Sequence, residues 1–296
     1  MPELPEVEVL VRHLRPLIRG KTIREVTVRR EKVLSPTSVG EFKRNLRGAK
    51  FLALTRRGKY LLFRLRPKNR RREITLLGHL GMTGRMFLAR KNEPWPKHAA
   101  VVLDLGAKNF IYEDTRYFGR FTLDLASVNK LGPEPLGEEF SVADFGRQLK
   151  KSRQPIKVKL LDQSLVAGVG NIYASEALFR AGISPRRAAN KLTNAQTGEL
   201  QGAIFEVLTE AIDCGSTLPL NFSAVKSDGL FYFGHAAGVP DFYSERLRVY
   251  DRAGQPCIHC ASRIKRIVQA ARSTFFCPRC QKICRNGLTN ARRFVE

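Results

Sequence analysis

Acidic residues are scarce in this 296-residue chain: 27 Asp and Glu stand against 52 Lys and Arg, a formal charge of +25 at pH 7. Tryptophan occurs once, methionine three times and cysteine six times. No apolar run approaches the ~20 residues that cross a bilayer. The opening Met-Pro-Glu-Leu-Pro-Glu carries acids where a signal peptide carries basic and then purely apolar residues. These absences argue against a membrane span, a secreted disulfide scaffold and an acidic tail protein, and lead us to expect a soluble intracellular chain. A hydrophobic content of 43% leaves material for real cores, so the charge excess is not the mark of disorder. Its natural counterpart is a polyanion, with nucleic acid first among them.

Leu4, Val7, Val11, Leu14 and Ile18 recur at three- and four-residue steps and predict a helix, with Pro5 in its first turn and Gly20 at its end. From Thr22 to about Leu125 the texture is β-rich. The segments Thr22–Val28, Tyr60–Leu65, Ile74–Leu77, Ala100–Leu105 and Phe121–Leu125 are short, separated by turns, and suggest a sandwich or barrel. Leu131-Gly-Pro-Glu-Pro-Leu-Gly137 breaks the pattern and reads as a linker. Helical periods follow at 142–150, 156–163 and 172–181, and most clearly at Leu200, Ile204, Val207, Leu208, Ala211 and Ile212. A Gly/Phe/Tyr-rich stretch, 216–243, reads as a mobile loop. The expected architecture is α+β in three units: 1–130, 131–245 and 246–296.

Cys257-Ile-His-Cys260 and Cys277-Pro-Arg-Cys280 have the pairing and separation of a tetrahedral zinc site, with a β-hairpin between the pairs. Four thiolates close the coordination shell, so one structural zinc is expected. His259 and Cys284 are spare thiol and imidazole groups that break the pattern. From Arg252 to Val295 there are ten Arg or Lys and no acid, which suits a phosphate backbone.

At the other end, Pro2 becomes a free secondary amine once Met1 is removed. Such an amine has a pKa of about 8, against about 10.4 for lysine, and is partly neutral at physiological pH. Attack on a sugar aldehyde carbon would give a cationic iminium, an electron sink for eliminating a neighbouring phosphate. Glu3 and Glu6 stand beside it for proton transfer. Pro-Glu-x-Pro-Glu is equally good chemistry for opening any helix, and the residues alone favour that plainer reading.

Met1-Pro-Glu-Leu-Pro-Glu-Val7 resembles the opening of the formamidopyrimidine-DNA glycosylase/endonuclease VIII family. The resemblance continues through Arg57-Gly-Lys-Tyr60, His79-Leu-Gly-Met-Thr-Gly84, Asp114-Thr-Arg-Tyr-Phe-Gly119, Leu131–Leu136, Gly168–Glu176 and Arg272-Ser-Thr-Phe-Phe276. Pro-Glu-Leu-Pro-Glu resembles the formamidopyrimidine branch. The resemblance implies an N-terminal helix with a β-sandwich, a helix–two-turns–helix domain and a zinc-finger β-hairpin. It implies a monomeric bifunctional enzyme of the bacterial cytoplasm, associated with the nucleoid. Such an enzyme excises oxidised purines from damaged double-stranded DNA and cuts the strand by β,δ-elimination. Pro2 would be the Schiff-base nucleophile, Glu3 the acid, and Lys59 a proton donor and phosphate contact. Arg272 and Asn171 would clamp phosphates. Met82, Arg116 and Phe118 would fill the gap left by the flipped nucleotide, with His98 and Arg153 as further DNA contacts. Cys257, Cys260, Cys277 and Cys280 would hold Zn2+. Arg153 departs from the family's usual Lys, and Thr115 and Tyr117 from its Pro and Arg; Lys68–Arg72 and the tail after Cys280 look expanded. The competing readings are a non-enzymatic zinc-ribbon nucleic-acid binder and the same fold with oxidised-pyrimidine preference.

Overall fold

The computed structural model describes residues 2–68, 72–216 and 247–282. Most of the expected loop at 216–243, the core of the Lys68–Arg72 expansion, Cys284 and the tail lie outside the described residues.

Helix α1 (Leu4–Ile18) starts as its sequence asks: Glu3 is the N-cap, and its backbone N–H donates to Glu6 Oε2 at 2.6 Å. Gly20, at φ +79°, lets the chain leave the helix in the left-handed conformation. Apolar side chains cover more than one face of α1, Val9 and Leu10 included, because the helix is a central spacer that packs against both β2 (Lys50–Arg57) and α6 (Asn194–Ser216).

Two four-stranded antiparallel sheets form the sandwich. One has the order β1-β6-β7-β5, with β1 Glu25–Val28, β5 Gly84–Arg90, β6 Ala99–Asp104 and β7 Lys108–Asp114. The other runs β2-β3-β4-β8, with β3 Tyr60–Arg66, β4 Ile74–His79 and β8 Arg120–Thr122. Their inner faces meet in a phenylalanine cluster: Phe63 lies 5.6 Å edge-on to Phe110 and 5.7 Å from Phe121, and Phe51 closes the group.

Three strands, β2, β5 and β7, have no counterpart in the pattern-based reading. β2 carries a register shift between Phe51 and Ala53 that breaks its alternation, and β5 and β7 end in charged residues. The first strand begins later than Thr22 because Thr22 bridges Lys50 of the opposite sheet and Ile23 N–H donates to Ala49 O. The last is shorter because Thr37 Oγ1 takes the Leu123 N–H at 3.0 Å.

Helix α2 (Val39–Leu46), capped by Ser38, lies between β1 and β2 in the chain, and helices α3 (Val142–Lys150), α4 (Ile156–Leu160), α5 (Asn171–Arg180) and α6 build the second unit. Ser141 caps α3. α4 stops short of Gln163; just beyond it, Asp162 takes the Ser164 N–H at 2.9 Å. Strands β9 (Lys265–Gln269) and β10 (Arg272–Phe276) form the expected hairpin. No helix among the described residues is long and apolar enough to cross a membrane.

Candidate active site and metal centre

The N-terminus of α1 meets the N-terminus of α5. Glu3, only 2% exposed, accepts hydrogen bonds from the Ile172 N–H at 2.9 Å and the Tyr173 N–H at 3.4 Å. Two orphan donors and the positive end of the α5 dipole thus hold its carboxylate. The approach explains two glycines. A Cβ on Gly170 would collide with the Glu3 carboxylate, and one on Gly168 (φ +84°) would sit 2.6 Å from Leu4 Cδ1. Beneath Glu3, Glu6 is fully buried and accepts from the Tyr173 hydroxyl at 2.9 Å. Burial, then the charge of Glu3, pushes the Glu6 carboxyl up to about 7.

Lys59 stands in the β2–β3 turn and is 7% exposed. The turn is held from a distance by Glu134 of the linker, which accepts from Gly58 N–H at 2.6 Å, Arg56 at 2.7 Å and Arg57 at 2.8 Å. Burial lowers the Lys59 ammonium pKa, Arg272 adds to the lowering, and Glu3 and Glu6 oppose it. Among the described residues Lys59 has no hydrogen-bond partner. His79, whose ring lies 4.7 Å from that of Tyr60, is pushed down to about 4 by burial and then by Lys59 and Arg120. It faces the site as a neutral imidazole.

Arg272 opens β10 at the exposed tip of the zinc hairpin. The tip turn uses two alanines, Ala270 at φ +47° and Ala271 at φ +58°, a conformation that costs a non-glycine residue roughly 1 kcal/mol or more. Asn171 ties this hairpin to the helical unit: its Nδ2 donates to Ser273 O at 2.9 Å, and its Oδ1 accepts from Lys157 Nζ at 2.6 Å. Lys157 is buried and pushed down to about 8, by burial first, with Arg272 adding to the effect and Glu3 opposing it. Burial raises the pKa of the nearby Tyr250 hydroxyl, with Glu3 adding to the shift and Asn171 and Arg272 opposing it. The hairpin's approach is fixed by Glu176, a buried carboxylate that accepts from the N–H groups of Arg248, Val249 and Tyr250 at 2.8, 3.0 and 2.8 Å.

Met82 and Phe118 are 47% and 51% exposed, and the Arg116 guanidinium lies 4.7 Å from the Phe118 ring centroid. Exposed apolar side chains of this size on rigid loops form a contact surface and not part of a core. Asp114, fully buried, makes the loops rigid by accepting from Thr83 Oγ1 at 2.6 Å, Arg116 N–H at 3.2 Å and Gly119 N–H at 2.8 Å. His79, facing Lys59, also accepts from Gly81 N–H at 3.2 Å, so the Met82 turn is anchored beside the lysine. His98 is half-buried and 3.4 Å from the Tyr117 hydroxyl. Arg153 is exposed between α3 and α4, and makes no hydrogen bond among the described residues.

The four cysteine sulfurs all lie within 4.8 Å of one another. Cys257 and Cys280 are 3.8 Å apart, and Cys260 and Cys277 3.4 Å. Zinc–sulfur bonds of about 2.3 Å in a tetrahedron demand sulfur separations of about 3.8 Å, so the cage fits one zinc. His259 takes no part in it and stacks on Phe179 at 5.3 Å.

Three family models match in chain order. They are the formamidopyrimidine-DNA glycosylase N-terminal domain over residues 1–121, its H2TH domain over 131–220, and the zinc finger found in FPG and IleRS over 254–283. The formamidopyrimidine-DNA glycosylase of Desulfitobacterium hafniense is 41% identical over 288 residues, covering 95% of this chain and 100% of that one. The chain belongs to the formamidopyrimidine-DNA glycosylase family. The Thermus thermophilus formamidopyrimidine-DNA glycosylase is 42% identical, with coverage of 95% and 98%. Two solved structures of this kind superpose closely, each covering 95% of this chain and 100% of its own. One is a MutM in complex with carbocyclic 8-oxo-G containing DNA (34% identity, TM-score 0.83). The other is the Lactococcus lactis enzyme bound non-covalently to AP-site DNA (32%, 0.81). Lys157, Tyr250, Glu134 and Glu176 surround the site without any signal in the sequence pattern that singles them out. Glu134 and Glu176 lay inside motifs already quoted, as letters without a role.

Proposed function

We propose that this protein removes oxidised purines, 8-oxoguanine and formamidopyrimidines, from duplex DNA and then cuts the strand at the abasic site. The observation that carries this reading is the convergence on the α1 N-terminus of groups from three units. Glu3 is held by α5, Lys59 by a linker-clamped sandwich turn, and Arg272 by the zinc hairpin, each near enough to act on its neighbours' charge.

In this scheme Met1 is removed and the Pro2 nitrogen, one residue before the Glu3 N-cap of α1, attacks the sugar C1′. The C1′–base bond breaks, with its electron pair leaving on a base that takes up a proton, and Glu3 exchanges the proton that opens the ring. The iminium then draws off the C2′ proton's electron pair as the 3′-phosphate departs, and a further elimination releases the 5′-phosphate. Lys59, poorly solvated and with a lowered pKa, suits proton transfer during these departures. Arg272 and the Asn171–Lys157 pair hold the flanking phosphates. Met82, Arg116 and Phe118 occupy the stack that the lesion vacates, offsetting the few kcal/mol of extrusion, while His98 and Arg153 contact the backbone. The zinc-bound finger holds Arg272 in place. The enzyme acts as a monomer, in the bacterial cytoplasm, through the units 1–130, 131–245 and 246–296.

Glu3→Gln tests the reading. Base excision from an 8-oxoguanine duplex should fall at least a hundredfold, while cleavage of a ready-made abasic site, which needs no base release, should fall far less. Equal losses on both substrates would refute the role given to Glu3.

A further inference from the structure

One end of the β1-β6-β7-β5 sheet gathers more than the wedge. β5 begins at Gly84 opposite Asp114, where β7 ends; β6 begins at Ala99 opposite Glu113; β1 ends at Val28 opposite Val101. The Met82 turn, the 115–118 loop, Arg29–Arg30 and residues 95–98 therefore all emerge on the same side. There sits Trp95, the chain's one tryptophan, 41% exposed and flanked by Pro94 and Pro96. Its backbone is braced rather than loose: Pro96 O accepts from Arg29 Nη1 at 3.4 Å and from Ala99 N–H at 3.0 Å. Among the described residues its ring stacks on no other ring, and its indole N–H donates no hydrogen bond.

The surroundings select the occupant. Arg29, Arg30, Lys97 and Arg116 are exposed around it, and the chain continues through His98 to Tyr117, over which Arg30 lies at 5.3 Å. The acids adjoining the 95–98 segment pair with cations, Glu93 with Arg90 at 4.0 Å and Glu113 with Arg85 at 3.7 Å; Glu31, next to Arg30 in the chain, is exposed. An apolar protein partner would have to bury those cations against itself. A DNA strand offers phosphates to the cations and a sugar face to the indole.

We propose that Trp95 is an apolar anchor for duplex DNA outside the lesion: its ring packs on a deoxyribose beyond the wedge while Arg29 and Lys97 take the neighbouring phosphates. This rests on the DNA reading above and extends the interface beyond the residues assigned there.

Because Trp95 is the sole tryptophan, its emission reports this contact alone. The full-length protein is titrated with an abasic-analogue duplex long on both sides, then with two duplexes each cut short on one side. The expected result is a change in emission and protection from acrylamide with the long duplex, lost when one particular arm is shortened. Trp95→Ala should bind the long duplex roughly five- to tenfold more weakly, yet match wild type on the duplex lacking that arm. Lys97→Gln, which leaves the ring in place, should weaken binding and its salt dependence through the same arm. Tight binding of the long duplex with unchanged emission and quenching, or with Trp95→Ala at wild-type affinity, overturns the anchor and leaves the DNA reading intact. Failure of the wild-type protein to bind any lesion duplex overturns both.

Discussion

Glu176→Gln replaces one buried carboxylate oxygen by an amide nitrogen and leaves the side-chain shape unchanged. In the native structure Oε1 accepts from Val249 and Tyr250 N–H, at 3.0 and 2.8 Å, and Oε2 from Arg248 N–H at 2.8 Å. With glutamine, its oxygen would take the first pair and its NH2 would face the Arg248 N–H, donor against donor. One buried N–H loses its partner, at about 1–3 kcal/mol, and two charge-assisted bonds become neutral ones, at about 0.5–1 kcal/mol each. Burial raises the Glu176 pKa even against these bonds, so removing the charge recovers part of the desolvation cost. The net expectation is a loss of about 2 kcal/mol, centred on the strap that leads into the zinc finger and not on the sandwich. Denaturant unfolding measures the total, and hydrogen exchange at residues 248–250 against β3 locates it. Binding to a lesion duplex should weaken about tenfold, since Arg272 and Tyr250 both hang from this strap. Unfolding energetics and duplex affinity that both match wild type would refute the claim that Glu176 sets the finger's position.

Glu6 links stability to pH. Its carboxyl titrates at about 7 when folded against 4.5 as a free side chain. Between those values only the folded chain keeps the proton, so the stabilising contribution is full below 4.5 and lost as pH rises through 7. The span amounts to about 3 kcal/mol. Glu6→Gln should flatten the dependence of unfolding free energy on pH between 5 and 8; an unchanged slope would show that another group is responsible. Cys260→Ser should cost bound zinc and duplex affinity while β-sandwich unfolding stays near wild type, because the cage is closed and structural. Metal analysis that finds no zinc in folded, DNA-binding wild-type protein would sink this.

Helix α1 was legible because its stripe, its capping Glu3/Glu6 pair and its closing glycine all agree within eighteen residues. The zinc cage was legible for a similar reason, since two short pairs at a known separation state their geometry outright. β2, β5 and β7 were not: a bulge and charged ends erase the alternation, and pairing partners on either side hold them as strands. Lys59 is one cation among 52 until Glu134, seventy-five residues away, clamps its turn. The resemblance pointed to it where spacing could not. Asn171 was expected as a phosphate clamp; the structure adds that it bridges buried Lys157 to the hairpin tip, a relation between three segments that no local pattern carries. The plainer reading of Pro2-Glu3 is the one the helix displays. Glu3 is a helix cap, and the same burial places its carboxylate on the α5 N-terminus.

If the amine of Pro2 does the chemistry, its adduct with DNA can be trapped. Borohydride reduction during reaction with an 8-oxoguanine duplex, followed by peptide mapping of the adduct, should place the DNA on the Pro2 nitrogen. Protein that retains Met1 should bind the duplex yet form no adduct. An adduct on Lys59 or any other lysine, with none on Pro2, would remove Pro2 from the chemistry and leave Pro2-Glu3 as a helix cap alone.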